Sequence, residues 1–295
     1  MSETAESLRR KIGSAGDLHA VVRTMKALAA ANIGQYEQSV RALADYYRTV
    51  ELGLSVCFRK SVPALPFTMG KRPEKEVINA VVFGSDQGLV GQFNDTIADF
   101  AVQALAALPG KTQIWAVGER VHARLTDAGL ALMSPLAVPN SVKAITPLVG
   151  QILLKTATQD SRNQFAALHL FYNSPNADGV YAPVTQQLLP LDENWRSKLA
   201  ELPWPSGSLP EAVGNPTATL RALLDEYLFV SLFRACAESL ASENASRLAA
   251  MQRADKNIDE LLEDLNATFH RLRQNGIDEE LFDVVSGFEA LVKDH

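Results

Sequence analysis

The sequence predicts an α/β fold in which long N- and C-terminal helices form an antiparallel coiled coil that carries an inserted, Rossmann-like α/β domain. Two proline-free stretches, residues 3–59 and 217–295, repeat apolar residues in steps of three and four. The sequence between them changes period, because short apolar runs alternate there with helical patterns. The predicted ranges are 1–60 for the first coiled-coil helix, 75–192 for the α/β foot domain and 217–295 for the second coiled-coil helix.

The C-terminal stretch predicts one long helix with a partner. At about 1.5 Å per residue it would reach on the order of 100 Å, more than one compact domain covers. Its apolar or small seam consists of Leu223, Tyr227, Val230, Phe233, Ala237, Leu240, Leu248, Met251, Ala254, Ile258, Leu261, Leu265, Phe269 and Leu272.

The N-terminal stretch supplies the partner. Its seam consists of Leu18, Val22, Met25, Ala29, Ile33, Tyr36, Val40, Leu43, Tyr47, Val50 and Leu54. Because opposite chain ends pair antiparallel, we expect Val22, Met25, Ala29 and Ile33 to pack against residues 248–272. A long amphipathic helix in a helical domain is the alternative interpretation.

The middle of the chain predicts a small, mainly parallel sheet with helices. Strands are expected at 77–83, 113–117, 165–172 and 184–191, and helices at 95–108, 119–127 and 141–158. Residues 61–73 and 173–179 have the composition of turns, and residues 195–216 are expected to form the connection back to the long helix.

One loop of this middle region invites an enzymatic interpretation. Residues 84–94 lie between a predicted strand and a predicted helix, where backbone N–H groups could hold a phosphate. The spacing of Gly84, Gly88 and Gly91 matches neither the dinucleotide fingerprint nor the P-loop, which favours a tight structural turn. A nucleotide-binding enzyme that uses this loop remains an alternative.

Charge, residue spacing and hydropathy argue against several other classes of protein. The formal net charge of −6 indicates no general affinity for nucleic acid. Cys57 and Cys236 lack ligand spacing, and the histidines stand apart, so neither a metal nor a cofactor is expected. No apolar stretch is long enough to span a membrane directly, and the N-terminus lacks the order of a signal peptide.

Three motifs resemble the gamma subunit of rotary F-type ATP synthases. The most specific is ESLASENASRLAAM at residues 238–251, followed by Arg273, Gln274 and Ile277. The opening helix contributes LRRKI at 8–12 and TMKALAAA at 24–31. The loop SDQGLVGQFN at 85–94 resembles the family's serine-aspartate-arginine-glycine-leucine-cysteine-glycine loop.

This resemblance implies a central-stalk rotor with no catalytic residues and no cofactor. In the family the terminal helices form a shaft inside a ring of alpha and beta subunits, and the α/β domain lies at the foot with the epsilon subunit and the membrane c-ring. The resemblance implies that four residues contact the beta subunit, namely Met25, Lys26, Arg273 and Gln274. It also implies a peripheral location on the cytoplasmic side of a bacterial inner membrane. A free-standing coiled-coil adaptor is the remaining alternative.

The chain departs from the family pattern at several positions. Gln87, Val90 and Gln92 replace the usual arginine, cysteine and glycine of the loop, and Arg23 replaces a lysine. These changes suggest a variant or second-copy bacterial complex. Asn275 and Gly276 read locally as a helix stop, but the family pattern runs through this point. We therefore expect one continuous helix.

Overall fold

The computed structural model describes residues 4–59, 77–108, 110–156, 167–176, 181–211 and 214–293. Its helices are α1 (Ala5–Arg59), α2 (Phe93–Ala106), α3 (Glu119–Asp127), α4 (Val142–Thr156), α5 (Glu193–Glu201) and α6 (Pro216–Lys293). Its strands are β1 (Val77–Phe83), β2 (Lys111–Val117), β3 (Ala167–Ser174) and β4 (Ala182–Leu189). The predicted turn at 61–73 lies outside the described residues.

The chain forms two compact units. One is Ala29–Arg247, here called the α/β unit, and the other combines Met1–Leu28 with Leu248–His295 and is called the coiled-coil unit. Helices α1 and α6 each contribute residues to both units. The mixed α/β architecture with long terminal helices confirms the predicted fold class.

The α/β unit is built on a four-stranded sheet of order β2-β1-β3-β4. Strand β1 runs parallel to β2 and β3, and β4 pairs antiparallel with β3 at the edge. The sheet is therefore mainly parallel, as predicted. Every predicted strand and helix of this region is present within two or three residues of its expected bounds, apart from residues 157–158 and 165–166, which are not described.

Alternate side chains of β1 are buried in two cores, one on each face of the sheet. Val81 and Phe83 join a core with α1, α4 and α6, whereas Ala80 and Val82 join a second core with α2 and α3. This alternation follows from the two-residue period of a strand, and a strand covered on both faces reads as a continuous apolar run. Helix α6 therefore belongs to the core of the α/β unit.

The central part of α6 is buried on almost every side. Between residues 230 and 246 only Arg234 is exposed. A helix normally leaves one face to solvent, and burial all round marks a helix enclosed within a core. This segment also buries polar residues, namely Ser231, Glu238, Ser239, Ser242, Glu243, Asn244 and Ser246.

The coiled-coil unit packs along a seam with a seven-residue step. Leu8, Ala15 and Val22 are buried on α1, and Met251 and Ile258 are buried on α6. Val22, Met251 and Ile258 form one cluster, to which Met25, Ala254 and Leu262 add partly buried surface. The predicted packing of Val22 and Met25 is confirmed. Ala29 and Ile33 belong to the α/β unit.

The prediction is wrong for two residues of the seam, which are exposed. Leu18 is 54% exposed and Leu261 is 49% exposed. The position beside Leu18 is taken by His19, which is 8% exposed and bonds to Asp255 across the pair of helices. Since a polar pair fills the interface there, Leu18 is left at its margin.

The connection before α6 contains a further helix. Residues 195–216 were expected only to form the connection back to the long helix, and α5 covers Glu193–Glu201 at its start. The Asp192 carboxylate caps this helix by accepting a hydrogen bond from Asn194 N at 3.2 Å. The Trp195 ring packs 4.9 Å from the Tyr227 ring, measured between centroids, which ties the helix to α6.

Helix α6 is continuous through Asn275 and Gly276, as predicted. A Cβ added at Gly276 would meet no atom within 4 Å, so this glycine fills no tight contact. One glycine costs about 1 kcal/mol in a helix, and α6 runs through Gly276 despite this cost.

Two substitutions on neighbouring turns of α6 test the observed seam. Ile258→Asp places an unpaired charge in the buried cluster and should lower the free energy of unfolding by several kcal/mol. Leu261→Asp is the matched control, since half of Leu261 is already in water, and it should cost less than about 1 kcal/mol. Hydrogen exchange of residues 248–265 measures both effects. Equal loss of protection in the two variants would contradict the observed seam.

Candidate functional site

The loop after β1, residues 84–94, closes on itself. Gly84 N donates to Val117 O at 2.8 Å, and Ser85 N donates to Asn94 Oδ1 at 3.0 Å. Asn94 Nδ2 donates to Ser85 Oγ at 2.8 Å, and that hydroxyl donates to Gln87 O at the same distance. These groups of the loop are thus engaged within the protein.

Asp86 caps the start of the neighbouring helix α3. Its two carboxylate oxygens accept hydrogen bonds from Glu119 N and Val138 N, each at 3.0 Å. Arg120 N donates to Ser85 O at 3.0 Å. The first N–H groups of a helix attract anions, and at α3 the loop itself supplies the anion.

Close backbone packing explains two glycines at this edge. A Cβ on Gly84 would lie 2.3 Å from Val121 Cβ, and one on Gly118 would lie 2.7 Å from Ser85 O. Gly118 also has a φ of 118°, which favours glycine. The glycines therefore allow strands and loops to approach each other.

Helix α6 covers the carboxyl edge of the sheet. Ser246 Oγ donates to Val90 O at 2.5 Å, and Ser174 Oγ donates to Glu238 Oε2 at 2.8 Å. Asn173 Nδ2 links the end of β3 to Phe93 O at 3.0 Å. Open α/β sheets bind ligands outside the carboxyl ends of their strands, where the strand order reverses. Here α6 hydrogen-bonds to the loop after β1 and to the end of β3, which argues against the nucleotide interpretation of residues 84–94.

The coiled-coil unit contains a charged cluster around Asp255. Its Oδ1 lies 2.9 Å from His19 Nε2 and its Oδ2 lies 2.5 Å from Lys26 Nζ, while Arg23 Nε lies 3.6 Å from Oδ1. The Lys26 hydrogen bond is the main cause that holds the pKa of Asp255 below its usual value. Asp255 therefore carries a negative charge at neutral pH that joins the two helices.

Asp259 gives this cluster the donor set of a metal site. Its Oδ1 lies 3.4 Å from His19 Nε2, and the candidate ligand atoms of His19, Asp255 and Asp259 all lie within 4.8 Å of one another. The Lys26 ammonium, however, already bonds the central carboxylate. The geometry is that of an ion-pair network. Sequence reasoning missed it, because His19 and Asp255 are 236 residues apart.

The four residues that the resemblance singled out lie in the coiled-coil unit, in two environments. Met25 is partly buried in the seam, and Lys26 is bonded to Asp255. Arg273 and Gln274 are exposed on α6. The two pairs differ in what they offer a partner, since the first already has contacts within the unit.

Apolar side chains are exposed along the last turns of α6. Ile277, Leu281, Phe282, Val284 and Val285 are between 47% and 71% exposed. A cluster of large exposed apolar residues marks an interaction surface more often than a scattered few do. Within the described residues, no helix is both long and apolar enough to cross a membrane.

The family model described as ATP synthase matches residues 4–291. The chain belongs to this family. Its curated relatives include the ATP synthase gamma chain of Rhizobium etli, 27% identical over 292 residues that cover 97% of this chain and 99% of the relative. The gamma chain of Salinibacter ruber is 28% identical over 302 residues, covering 96% of this chain and 97% of that one.

Solved structures share the fold. The rotor of the Euglena gracilis mitochondrial ATP synthase matches with a TM-score of 0.59 and 18% identity over 92% of this chain and 98% of that one. The central stalk and c-ring of the Tetrahymena thermophila mitochondrial ATP synthase matches with a TM-score of 0.55 and 19% identity. The match covers 79% of this chain and 99% of that one. As a member of this family with gamma chains as relatives, the chain is a gamma-type subunit of an ATP synthase, which is an enzyme complex.

Two glycine substitutions test whether the loop after β1 is closely packed against α3. Gly84→Ala would force a Cβ against Val121 and should lower the free energy of unfolding by about 1 to 3 kcal/mol. Gly150→Ala, in α4 of the same unit, meets no atom within 4 Å and should be neutral or stabilising by up to about 1 kcal/mol. Urea unfolding followed by circular dichroism measures both. A tolerated Gly84→Ala would contradict the close packing.

Proposed function

We propose that this gamma-family chain transmits rotation in an F-type ATP synthase and does not itself catalyse ATP turnover. One observation carries the proposal: α6 covers the strand ends where an α/β domain would otherwise bind a nucleotide. The same helix continues to Lys293 and contributes to the coiled-coil unit. A helix shared by both units suits a subunit whose work is mechanical.

The partners follow from the family. The coiled-coil segments, taken as residues 1–60 and 217–295, would lie within the ring of alpha and beta subunits. The foot, taken as residues 75–192, would meet the epsilon subunit and the membrane c-ring. The complex would lie at a bacterial inner membrane with this subunit peripheral on the cytoplasmic side. Rotation of the c-ring driven by ion flow would then turn the shaft.

We place the contact with the beta subunit at Met25, Lys26, Arg273 and Gln274. Arg273 and Gln274 are exposed, so their donors are free to meet a partner's acceptors. Lys26 would act differently, because its ammonium already donates a hydrogen bond to Asp255 and could give a partner only its remaining donors. The exposed apolar residues of α6 between Ile277 and Val285 would complete this surface.

The mechanism needs contacts that change with orientation. A charged side chain on one face of the shaft can pair with an acidic loop in one orientation and lose that partner in the next. Such differential contact biases the state of each catalytic site, since a ligand or partner shifts an equilibrium only through unequal affinities. Arg273 meets this requirement by its charge and exposure.

Arg273→Ala in the assembled complex tests this proposal. It should lower coupled ATP turnover by about tenfold to a hundredfold, because a hydrogen bond to a charged group contributes about 1.5 to 3 kcal/mol. Co-purification with alpha and beta subunits should stay unchanged. The chain alone should hydrolyse no ATP.

Arg271→Ala is the matched control. Arg271 is also exposed on α6, but two residues along the helix it points about 200° away from Arg273. Coupled turnover should be nearly normal in this variant. Normal turnover in Arg273→Ala would remove Arg273 from the contact, and failure of the wild-type chain to bind alpha and beta subunits would overturn the rotor function.

A further inference from the structure

Asn275 and Gly276 form the only Asn-Gly pair in the sequence. The pair reads locally as a helix stop, but α6 continues through it to Lys293. The Asn275 side chain is exposed, and a Cβ added at Gly276 would meet no atom within 4 Å. The surroundings of the pair are therefore open to water.

This part of α6 has little packing to hold it in helical form. Residues 273–286 are all exposed apart from Gly276, which is partly buried. Among the α6 residues whose burial the structure describes, Ile258 is the last buried one. Most helical stability comes from packing, and segments with few buried apolar contacts open locally at low cost. Since glycine weakens the helix further, α6 should open more readily around Asn275 than along the buried seam.

Local opening allows the two residues to react with each other. In the closed helix the Gly276 N–H is bonded to a carbonyl one turn earlier, and the helical backbone holds this nitrogen away from the Asn275 side chain. In the open chain the nitrogen, once it loses its proton, can attack the side-chain carbonyl carbon of Asn275. Glycine reaches the required conformation easily because it has no Cβ.

The atoms of this reaction balance with water alone. The new C–N bond closes a cyclic imide as the bond to Asn275 Nδ2 breaks and ammonia leaves. Water then adds to either carbonyl of the imide and opens it, which leaves aspartate or isoaspartate. Nothing is oxidised or reduced.

We propose that Asn275 is a site of spontaneous deamidation and that local opening of α6 sets its rate. The product carries a new negative charge two residues from Arg273. Isoaspartate also lengthens the backbone by a methylene group, which interrupts the helical hydrogen-bond pattern at that point. The reaction needs only this chain and water, so it is independent of the rotor function.

The test incubates the full-length chain at mildly alkaline pH and measures deamidation at each asparagine by peptide mass spectrometry. Asn275 should react faster than Asn266, an exposed residue of α6 that precedes an alanine and donates from Nδ2 to Leu262 O at 2.7 Å. Unfolding in guanidinium chloride should speed the reaction at Asn275 at least about tenfold, because the folded chain keeps the helix mostly closed. Equal rates at Asn275 and Asn266 in the folded chain, or no acceleration on unfolding, would overturn the proposal.

Three variants outside the buried seam separate the chemistry from the opening. Gly276→Ala adds a Cβ beside the attacking nitrogen and favours the helix, so it should slow the reaction at Asn275 at least about tenfold. Glu279→Pro removes the N–H that bonds the Asn275 carbonyl and should speed the reaction at least about tenfold. Glu279→Ala is the matched control and should leave the rate nearly unchanged. An unchanged rate in Gly276→Ala, or equal rates in Glu279→Pro and Glu279→Ala, would contradict the proposal.

Discussion

The enclosure of α6 between residues 230 and 246 is the constraint on which the α/β unit depends. Its apolar side chains fill the core on one face of the sheet, and its polar side chains reach the strand ends. Each polar group buried there needs a partner, because an unpaired one costs about 1 to 3 kcal/mol. The loop after β1 and the end of β3 supply the partners for Ser246 and Glu238, which ties the helix to both.

This arrangement differs from that of a ligand-binding α/β domain. A doubly wound sheet ordinarily leaves a crevice at its carboxyl edge, and the N-terminus of a following helix attracts a phosphate there. In this chain the loop after β1 instead accepts a hydrogen bond from Ser246 of α6, and Asp86 of that loop caps the start of the neighbouring helix α3. Sheet and helix are thereby joined by hydrogen bonds as well as by the apolar core, which suits a central-stalk subunit.

The sequence predicted the long helices and the strands because their periods differ and local rules suffice to tell them apart. It did not single out α5, although Asp192 is an ordinary cap, because residues 195–216 were predicted only as a connection. It also placed Leu18 in the seam. Only the structure shows that His19 fills that interface by bonding to Asp255, a pairing across 236 residues that no local pattern contains.

Direct observation of rotation tests the central claim that this chain is a rotor. A probe can be attached through Gln103→Cys, since Gln103 is exposed on α2 and the native Cys57 and Cys236 are buried. In a complex immobilised through its alpha and beta subunits, added ATP should turn the probe in one direction. A probe that stays still while the complex hydrolyses ATP would contradict the account.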